Sequence, residues 1–357
     1  MESVVNMNLH FYKGKKVLVT GHTGFKGTWL TRMLVNAGAD VAGYSRCLEK
    51  KPSLFEMAGI KERITHMKGD IRDFGHLQKV FDEFQPEIVI HLAAQPLVRD
   101  SYQEPAYTYE TNVMGTVNVL ECVRLHPCVR SVVNVTTDKV YHNKEWNWGY
   151  REDEPLDGFD PYSNSKSCSE LVTHSYKNSF FAGGRVAVST ARAGNVIGGG
   201  DFAKDRVIPD CVRAVKEGKV IEVRNPDSIR PYQHVLEPLA VYLEIAARQY
   251  EDNAYQGYYN VGPDDCDCIA TGELVTLFCK YWGEGAEWEN RKEKNAPHEA
   301  NYLKLDSSKI KAVFGWKPRW HIDECMEMVC RFSKVWISGG DIQAEMDKEI
   351  KEFMEGR

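Results

Sequence analysis

The chain has 357 residues, a formal net charge of -6 and 43% hydrophobic residues, enough to bury a large core as two domains or as one α/β domain with a substrate lobe. The mild acidic balance argues against a nucleic-acid-binding surface, which shows as a basic excess. Ten cysteines are scattered, and the closest pair, Cys266 and Cys268, lacks both the two-residue gap and the second half of a zinc site, so reduced thiols and no metal are expected.

From the N-terminus, Met1 to Lys16 holds no apolar run of signal-peptide length, and no later stretch approaches a membrane span. A soluble cytoplasmic protein with no membrane or nucleic-acid partner is the expectation. Short apolar runs at 17–19, 41–44, 64–67, 88–90 and 132–135, with another near 186–188, then alternate with helical segments at 26–36, 74–84 and 105–126. This alternation predicts an α/β fold, a Rossmann-type doubly wound parallel sheet covered by helices on both faces. Beyond Asn195 the alternation loosens, and Gly198-Gly199-Gly200-Asp201 marks a turn. Helices at 206–217, 235–250, 272–282 and 322–338, with short strands near 220–223 and 258–261, predict a smaller mixed α/β substrate-binding lobe over 196–357. It is expected to pack on the sheet of residues 1–195, with the chain crossing between the two.

Gly21-His22-Thr23-Gly24-Phe25-Lys26-Gly27 directly follows the first predicted strand and opens the first helix. Glycines there let the backbone turn tightly and approach a diphosphate, whose charge the helix N-terminus stabilises. A glycine-rich turn alone is weak evidence. Strand, loop and helix in the required order point to a dinucleotide site.

Two further segments carry chemistry. Tyr162-Ser163-Asn164-Ser165-Lys166 places a phenol and an ammonium at i, i+4, on one face of a helix. A lysine held there favours the phenolate, which can take a proton from an alcohol. Thr136-Thr137-Asp138-Lys139-Val140-Tyr141 adds an acid and a second amine after a buried strand, more than alcohol oxidation requires. Both have plainer readings, since Tyr-x-x-x-Lys is common on amphipathic helices and Asp-Lys after a strand is usually a solvated turn. Their place at the C-terminal edge of a central strand favours the functional reading.

The spacing of Gly21, Gly24 and Gly27, together with Tyr162 and Lys166, resembles the extended branch of the short-chain dehydrogenase/reductase superfamily, over nearly the whole chain. Gly69-Asp70-Ile71-Arg72-Asp73, His91-Leu92-Ala93-Ala94-Gln95, Thr111-Asn112-Val113-Met114-Gly115-Thr116 and Ser307-Ser308-Lys309-Ile310 with Gly315-Trp316-Lys317-Pro318 match further motifs of that branch. The resemblance implies NAD as cofactor. Gly21, Thr23, Gly24, Phe25 and Gly27 would hold it at the loop, Asp70 and Ile71 at its adenine end, and Leu92, Ala93, Ala94 and Thr111 along its length, with Tyr162 and Lys166 at the reactive end. One departure concerns the end of the second strand, where a carboxylate would bind the ribose hydroxyls and select NAD. This chain has Ser45 and Arg46 there. Arg46 can pair with a 2′-phosphate, favouring NADP, or stay a solvated loop charge. NAD remains the expectation from the resemblance, held less tightly than by relatives with the carboxylate.

Where other dehydratases of the branch usually carry a second acid, this chain has Lys139 after Thr137-Asp138, and this is similar to the 4,6-dehydratases that act on CDP-glucose. Trp29 and Leu30 after the loop, and Arg192-Ala193-Gly194-Asn195, support the same likeness. The implied activity is an internal redox sequence: oxidation at C4, loss of water across C5 and C6, and reduction at C6. The product, CDP-4-keto-6-deoxyglucose, is a deoxysugar precursor for O-antigen and lipopolysaccharide.

In that scheme Tyr162 accepts the O4 proton, Thr137 orients O4, Lys139 is the base at C5 and Asp138 the acid at the departing hydroxyl. Burial must then move the two pKa values in opposite directions. Asn195 and Arg230 are expected at the diphosphate, Arg206 at the nucleotide, and Gln95, with Arg99, Ser101 and Glu104, near the sugar. The family pairs subunits through helices beginning near Pro105 and Pro161, so a homodimer or homotetramer is expected. Two other readings stay open. A sugar-nucleotide 4-epimerase shares Tyr162 and Lys166 but has no use for Asp138-Lys139, and a dinucleotide-binding sensor needs neither Tyr162 nor Lys166.

Overall fold

The apolar runs read from the sequence all become strands of one parallel sheet in the computed structural model, which describes residues 9–46, 51–291 and 302–356. They are Lys16–Thr20 (β1), Asp40–Ser45 (β2), Thr65–Lys68 (β3), Ile88–His91 (β4), Ser131–Val135 (β5) and Ala187–Arg192 (β6). Four short strands follow, Val196–Ile197 (β7), Ile221–Val223 (β8), Ile229–Pro231 (β9) and Gln233–His234 (β10), before Tyr258–Asn260 (β11). The sheet runs β11-β6-β5-β4-β1-β2-β3, and every pair in it is parallel. β11, expected as a short strand of the C-terminal lobe, completes this sheet, pairing Tyr258 with Thr190 and Asn260 with Arg192. Beyond it, Cys268–Ala270 (β12) pairs antiparallel with β9, Trp288–Asn290 (β13) pairs with β8, and β7 pairs with β10.

The helices, in order, are Phe25–Asn36 (α1), Leu54–Met57 (α2), Phe74–Phe84 (α3), Val98–Gln103 (α4), Pro105–Tyr109 (α5), Gly115–Leu125 (α6), Pro161–Phe180 (α7), Val207–Lys216 (α8) and Leu236–Glu251 (α9). Thr271–Trp282 (α10), Ser308–Phe314 (α11), Ile322–Ile337 (α12) and Ile342–Glu355 (α13) complete the set. The helix expected over 105–126 is interrupted by a π-turn at Glu110–Met114. Such bulges occur preferentially at functional sites. α13 was not foreseen.

Side chains alternate across the sheet with period two, so each strand feeds two cores. Val17, Val19, Ile90 and Val133 point into one core, with Leu30, Leu239 and Leu243 from α1 and α9. Leu18, Val89, Val132 and Val188 point into the other, with Leu77, Phe81, Leu120 and Val123 from α3 and α6. α9 is also stitched to β5 by polar contacts: Ser131 Oγ donates to the Ala246 carbonyl at 2.8 Å, and Gln249 Nε2 donates to the Val132 carbonyl at 2.9 Å.

No described helix is long and apolar enough to cross a membrane. Residues 1–8, on which the reading of the N-terminus partly rests, lie outside the described residues. The cysteines within the described residues are free thiols. Cys266, Asp267 and His321 converge away from the main cleft, where Asp267 accepts from His321 Nδ1 at 2.8 Å and from the Ile322 amide at 3.0 Å, fixing the start of α12.

Candidate active site

The glycine loop, the ends of β2 and β3, the β4 loop, the end of β5 and the start of α7 all open into one cleft of about 1970 Å³. It lies outside the carboxyl ends of the strands, where open parallel sheets place their ligands. β1 ends at Thr20, whose hydroxyl meets His91 Nδ1 at 2.6 Å and ties β1 to β4. The chain then turns through Gly21 at φ 77°, a left-handed backbone that glycine adopts without strain. A Cβ at Gly21 would lie 2.8 Å from the Ala93 amide nitrogen, and one at Gly27 would run into the Gly21 carbonyl. Gly24 begins α1 with no side-chain cap, so the first-turn N–H groups stand at the cleft wall unclaimed by a side chain. On the same wall Thr111 Oγ1, in the π-turn, and Tyr107 Oη are buried with no hydrogen-bond partner among the described residues. A loop too close for side chains, uncapped amides and orphaned hydroxyls fit the diphosphate and riboses of a dinucleotide.

At one end of the cleft Ser45 Oγ meets Thr23 Oγ1 at 2.8 Å. Asp70 pairs with Arg72 at 2.8 Å. Burial raises the Asp70 carboxyl, but the Arg72 hydrogen bonds outweigh it and hold the group below its usual range. Arg46 takes a position the sequence did not suggest. Its guanidinium lies 5.2 Å from the centre of the Tyr107 ring, and Arg72 lies 4.8 Å from the same ring. Leu92, Ala93 and Ala94 line the wall between the ends, and Ile71 fills the space left by the missing side chain of Gly115.

At the other end α7 starts firmly, with Pro161 in its first turn and Asp160 accepting from the Ser163 amide at 3.0 Å. Tyr162 therefore sits in the first turn, where it hydrogen-bonds Thr137. Burial pushes the Tyr162 phenol up to about 12, opposed by that hydrogen bond and by the Arg206 charge. Burial also pulls Lys166 down to about 8, with Glu170 opposing. Lys166 lies one helical turn beyond Tyr162 on the same helix. Lys166 Nζ donates to the Val135 carbonyl at 3.0 Å, and Arg206 is the cation that acts on the phenol.

Asp138 is 1% exposed. Its carboxyl accepts from Thr137 Oγ1 at 2.9 Å and from Asn195 Nδ2 at 3.1 Å. Asn195 has φ 48°, a left-handed backbone in which asparagine is enriched among non-glycine residues. Lys139 follows within a single tight turn, Asp138–Val140, its amide 3.4 Å from Thr137 Oγ1. Thr137, Asp138, Lys139, Tyr162 and Lys166 all line the cleft.

Arg206 precedes α8 and pairs with Asp201 at 2.8 Å. Arg230, on β9, is 3% exposed, and both arginines line the cleft. Gln95 does too, but its amide N–H groups donate to the Leu97 carbonyl and Thr108 Oγ1, both at 3.0 Å, and its oxygen accepts from the Leu97 amide at 2.6 Å. Gln95 thus spends its amide on the β4 loop instead of turning it toward a sugar. Arg99 and Glu104 reach the wall, whereas Ser101 is buried with its hydroxyl on the Val98 carbonyl at 2.6 Å.

Lys26 escaped the sequence reading, which used the loop only for its glycines. Burial, then Arg206, pull Lys26 down to about 8, with Asp138 opposing, so its ammonium faces the same charges as the reactive end. A charged residue inside a glycine loop was the available signal.

The family model of GDP-mannose 4,6 dehydratase matches residues 18–329. The CDP-glucose 4,6-dehydratase of Salmonella typhimurium is 48% identical over 97% of this chain and 98% of its own. Among solved structures, an epimerase of Methanothermobacter thermautotrophicus superposes with TM-score 0.81 at 24% identity, covering 93% of this chain and 97% of that one. A dTDP-glucose 4,6-dehydratase of Bacillus anthracis, in complex with NAD, gives 0.76 at 21% identity, covering 90% and 97%. At those identities the two structures speak for the fold. The sequence matches go further, and the chain belongs to the GDP-mannose 4,6-dehydratase family, within the extended short-chain dehydrogenases/reductases.

Proposed function

We propose that this chain is an NAD-dependent CDP-glucose 4,6-dehydratase, a hydro-lyase that forms CDP-4-keto-6-deoxyglucose. The observation that carries the reading is the meeting of Tyr162 with the Thr137-Asp138-Lys139 turn in the cleft that the glycine loop opens. The relative at 48% identity supports the choice of nucleotide. Residues 1–195 are assigned mainly to the cofactor and 196–357 mainly to the nucleotide sugar.

Gly21, Thr23, Gly24, Phe25 and Gly27 hold the cofactor diphosphate, with Ser45, Arg46, Asp70 and Ile71 at its adenosine end and Thr111 beside it. The chemistry a bound NAD supplies is reversible hydride transfer, from C4 of the sugar and back to C6. Thr137 Oγ1 orients O4, and Tyr162 Oη takes its proton, with Arg206 lowering the phenol. The C4 ketone acidifies C5–H, because the carbanion is stabilised as an enolate. Lys139 Nζ takes that proton and Asp138 gives one to O6, so one water leaves; a proton is later returned to C5. Thr137 and Asn195 each donate to one oxygen of Asp138 and so fix where its carboxyl stands in the cleft. Arg206, Arg230 and Asn195 receive the CDP diphosphate.

The product serves cell-surface polysaccharide synthesis in the cytoplasm. The chain is assigned as at least a dimer, because Tyr102, Met114, Leu171 and Phe180 are each 44–55% exposed around α4, the π-turn and α7. Light scattering on the purified protein tests that assignment.

The deciding experiment incubates the protein with CDP-glucose and catalytic NAD, with dTDP-, GDP- and UDP-sugars in parallel. Mass spectrometry follows water loss and NMR the 4-keto product. Loss of one water from CDP-glucose alone is expected. Inversion at C4 without water loss would move the assignment to an epimerase, and binding of NAD with no turnover would move it to a sensor.

A further inference from the structure

We propose that the buried pair Glu170–Arg192, to which no role in catalysis has been given so far, is the positioning device of the reactive turn. It holds residues 137–140 at both ends and so sets where Thr137 and Asp138 stand relative to Tyr162. This rests on the dehydratase reading of that turn.

The pair lies behind the cleft wall, its side chains 1% and 2% exposed, with Arg192 Nη2 3.0 Å from Glu170 Oε2. Glu170 is on α7, one helical turn beyond Lys166 and two beyond Tyr162. Its other oxygen accepts from Thr136 Oγ1, the residue just before the turn. Arg192, at the end of β6, donates through Nη1 to Tyr141 Oη at 2.7 Å, the residue just after the turn. Just before the first anchor Lys166 Nζ donates to the Val135 carbonyl at 3.0 Å, and just before the second Ser167 Oγ donates to the Val140 carbonyl at 2.7 Å. The segment is thus fastened on both sides of the turn, by α7 at Val135, Thr136 and Val140 and by Arg192 of β6 at Tyr141.

Buried charge pairs often add little net stability over an apolar filling. What this one adds is geometry: a fixed fork of Arg192 reaching one side of the turn, and a carboxylate reaching the other. Displacement of a reacting group by about 1 Å can cost on the order of 100-fold in rate. Glu170 also accepts from Thr190 Oγ1 at 2.7 Å, on β6 and away from the turn. That bond provides an internal control, because it joins the same carboxylate without holding the reactive segment.

The test compares Thr136→Val and Thr190→Val, each of which removes one hydrogen bond to Glu170, with Tyr141→Phe, which removes the bond from Arg192 and a second one to Asn260; all three leave the charge pair intact. Thermal midpoint, kcat and KM for CDP-glucose are measured on each. The proposal expects Thr136→Val and Tyr141→Phe to lower kcat by roughly tenfold or more with KM changed less than about twofold. Thr136→Ser is expected to restore kcat, and Thr190→Val to lower the midpoint to a similar extent while kcat stays within about twofold. Full kcat in both Thr136→Val and Tyr141→Phe, or an equal loss in Thr190→Val, overturns it and leaves the network as plain scaffolding. If Thr136→Val fails to fold, Tyr141→Phe against Thr190→Val decides. A wild-type protein inert toward every sugar nucleotide overturns the dehydratase reading and this inference together; an active wild type with indifferent variants overturns only this one.

Discussion

The Asp138 carboxyl occupies the place where a side chain on Gly194 would begin. Gly194 is therefore tied to the acid in the next strand's turn. Gly194→Ala is expected to push Asp138 off Thr137 and Asn195, lowering kcat by about 100-fold while NAD affinity is unchanged. Steady-state kinetics alongside NAD titration check it, and an unchanged kcat would show that the acid has room to move.

Lys139 and Asp138 are assigned to separate proton transfers, and the two variants should fail differently. Lys139→Met is expected to lose incorporation of solvent deuterium at C5, with turnover down by roughly 100- to 10,000-fold. Asp138→Asn is expected to keep some exchange at C5 while water loss drops by a comparable factor. NMR of the sugar in D2O reads both. Normal C5 labelling in Lys139→Met would assign the base to another group.

Ser45 stands where a ribose-binding carboxylate is absent. Ser45→Asp is expected to tighten NAD binding by about tenfold and to weaken NADP binding, since a carboxylate accepts from ribose hydroxyls and repels a 2′-phosphate. Calorimetric titration with both cofactors measures it. Tighter NADP binding would instead point to Arg46 as the dominant contact.

Acid should withdraw the stability that the buried histidines contribute. Burial holds His22, His91 and His234 each down at about 3, against 6.5 for an ordinary histidine. Between those values the unfolded chain binds protons that the folded chain refuses, so their stability contribution is full above about pH 6.5 and is lost as pH falls. Glu237, raised to about 7 by burial, and Glu349, also raised by burial, act in the opposite direction, holding protons that the unfolded chain releases. Glu152, Glu244 and Asp210, also raised by burial, add to that opposing side. The histidine share is therefore read by difference: between pH 6.5 and 5 the thermal midpoint of wild type is expected to lose more than that of His91→Gln, and equal slopes would contradict the assignment.

The sheet was legible because its strands announce themselves locally. The runs around Val17-Leu18-Val19 and Val132-Val133 are apolar on both faces, as strands covered on both sides must be. Other features depend on contacts that no local pattern encodes. β11 reads as any short strand, and only its pairing with β6 makes it the edge of the main sheet. The π-turn at Glu110–Met114 lies inside a segment of plain helical pattern. Within the cleft, residue types found the loop, the phenol and the acid. They did not show that Lys166 reaches the Val135 carbonyl, which is decided by the distance between α7 and β5. They marked Arg192 only as part of a motif and gave no hint of its pairing with Glu170, whose network draws on α7, β6 and the segment after β5.

The late arrival of β11 has a consequence for how the molecule is made. On the ribosome β6 emerges long before Tyr258, and until then its outer edge offers unpaired amides and carbonyls to any extended neighbour. The same interval leaves one face of β5 bare, because α9, which covers it, also lies downstream. A nascent chain halted near Asn195 already carries the glycine loop, Tyr162 and Lys166, yet it is an open-sided sheet, prone to recruiting its own copies until the later segment closes it.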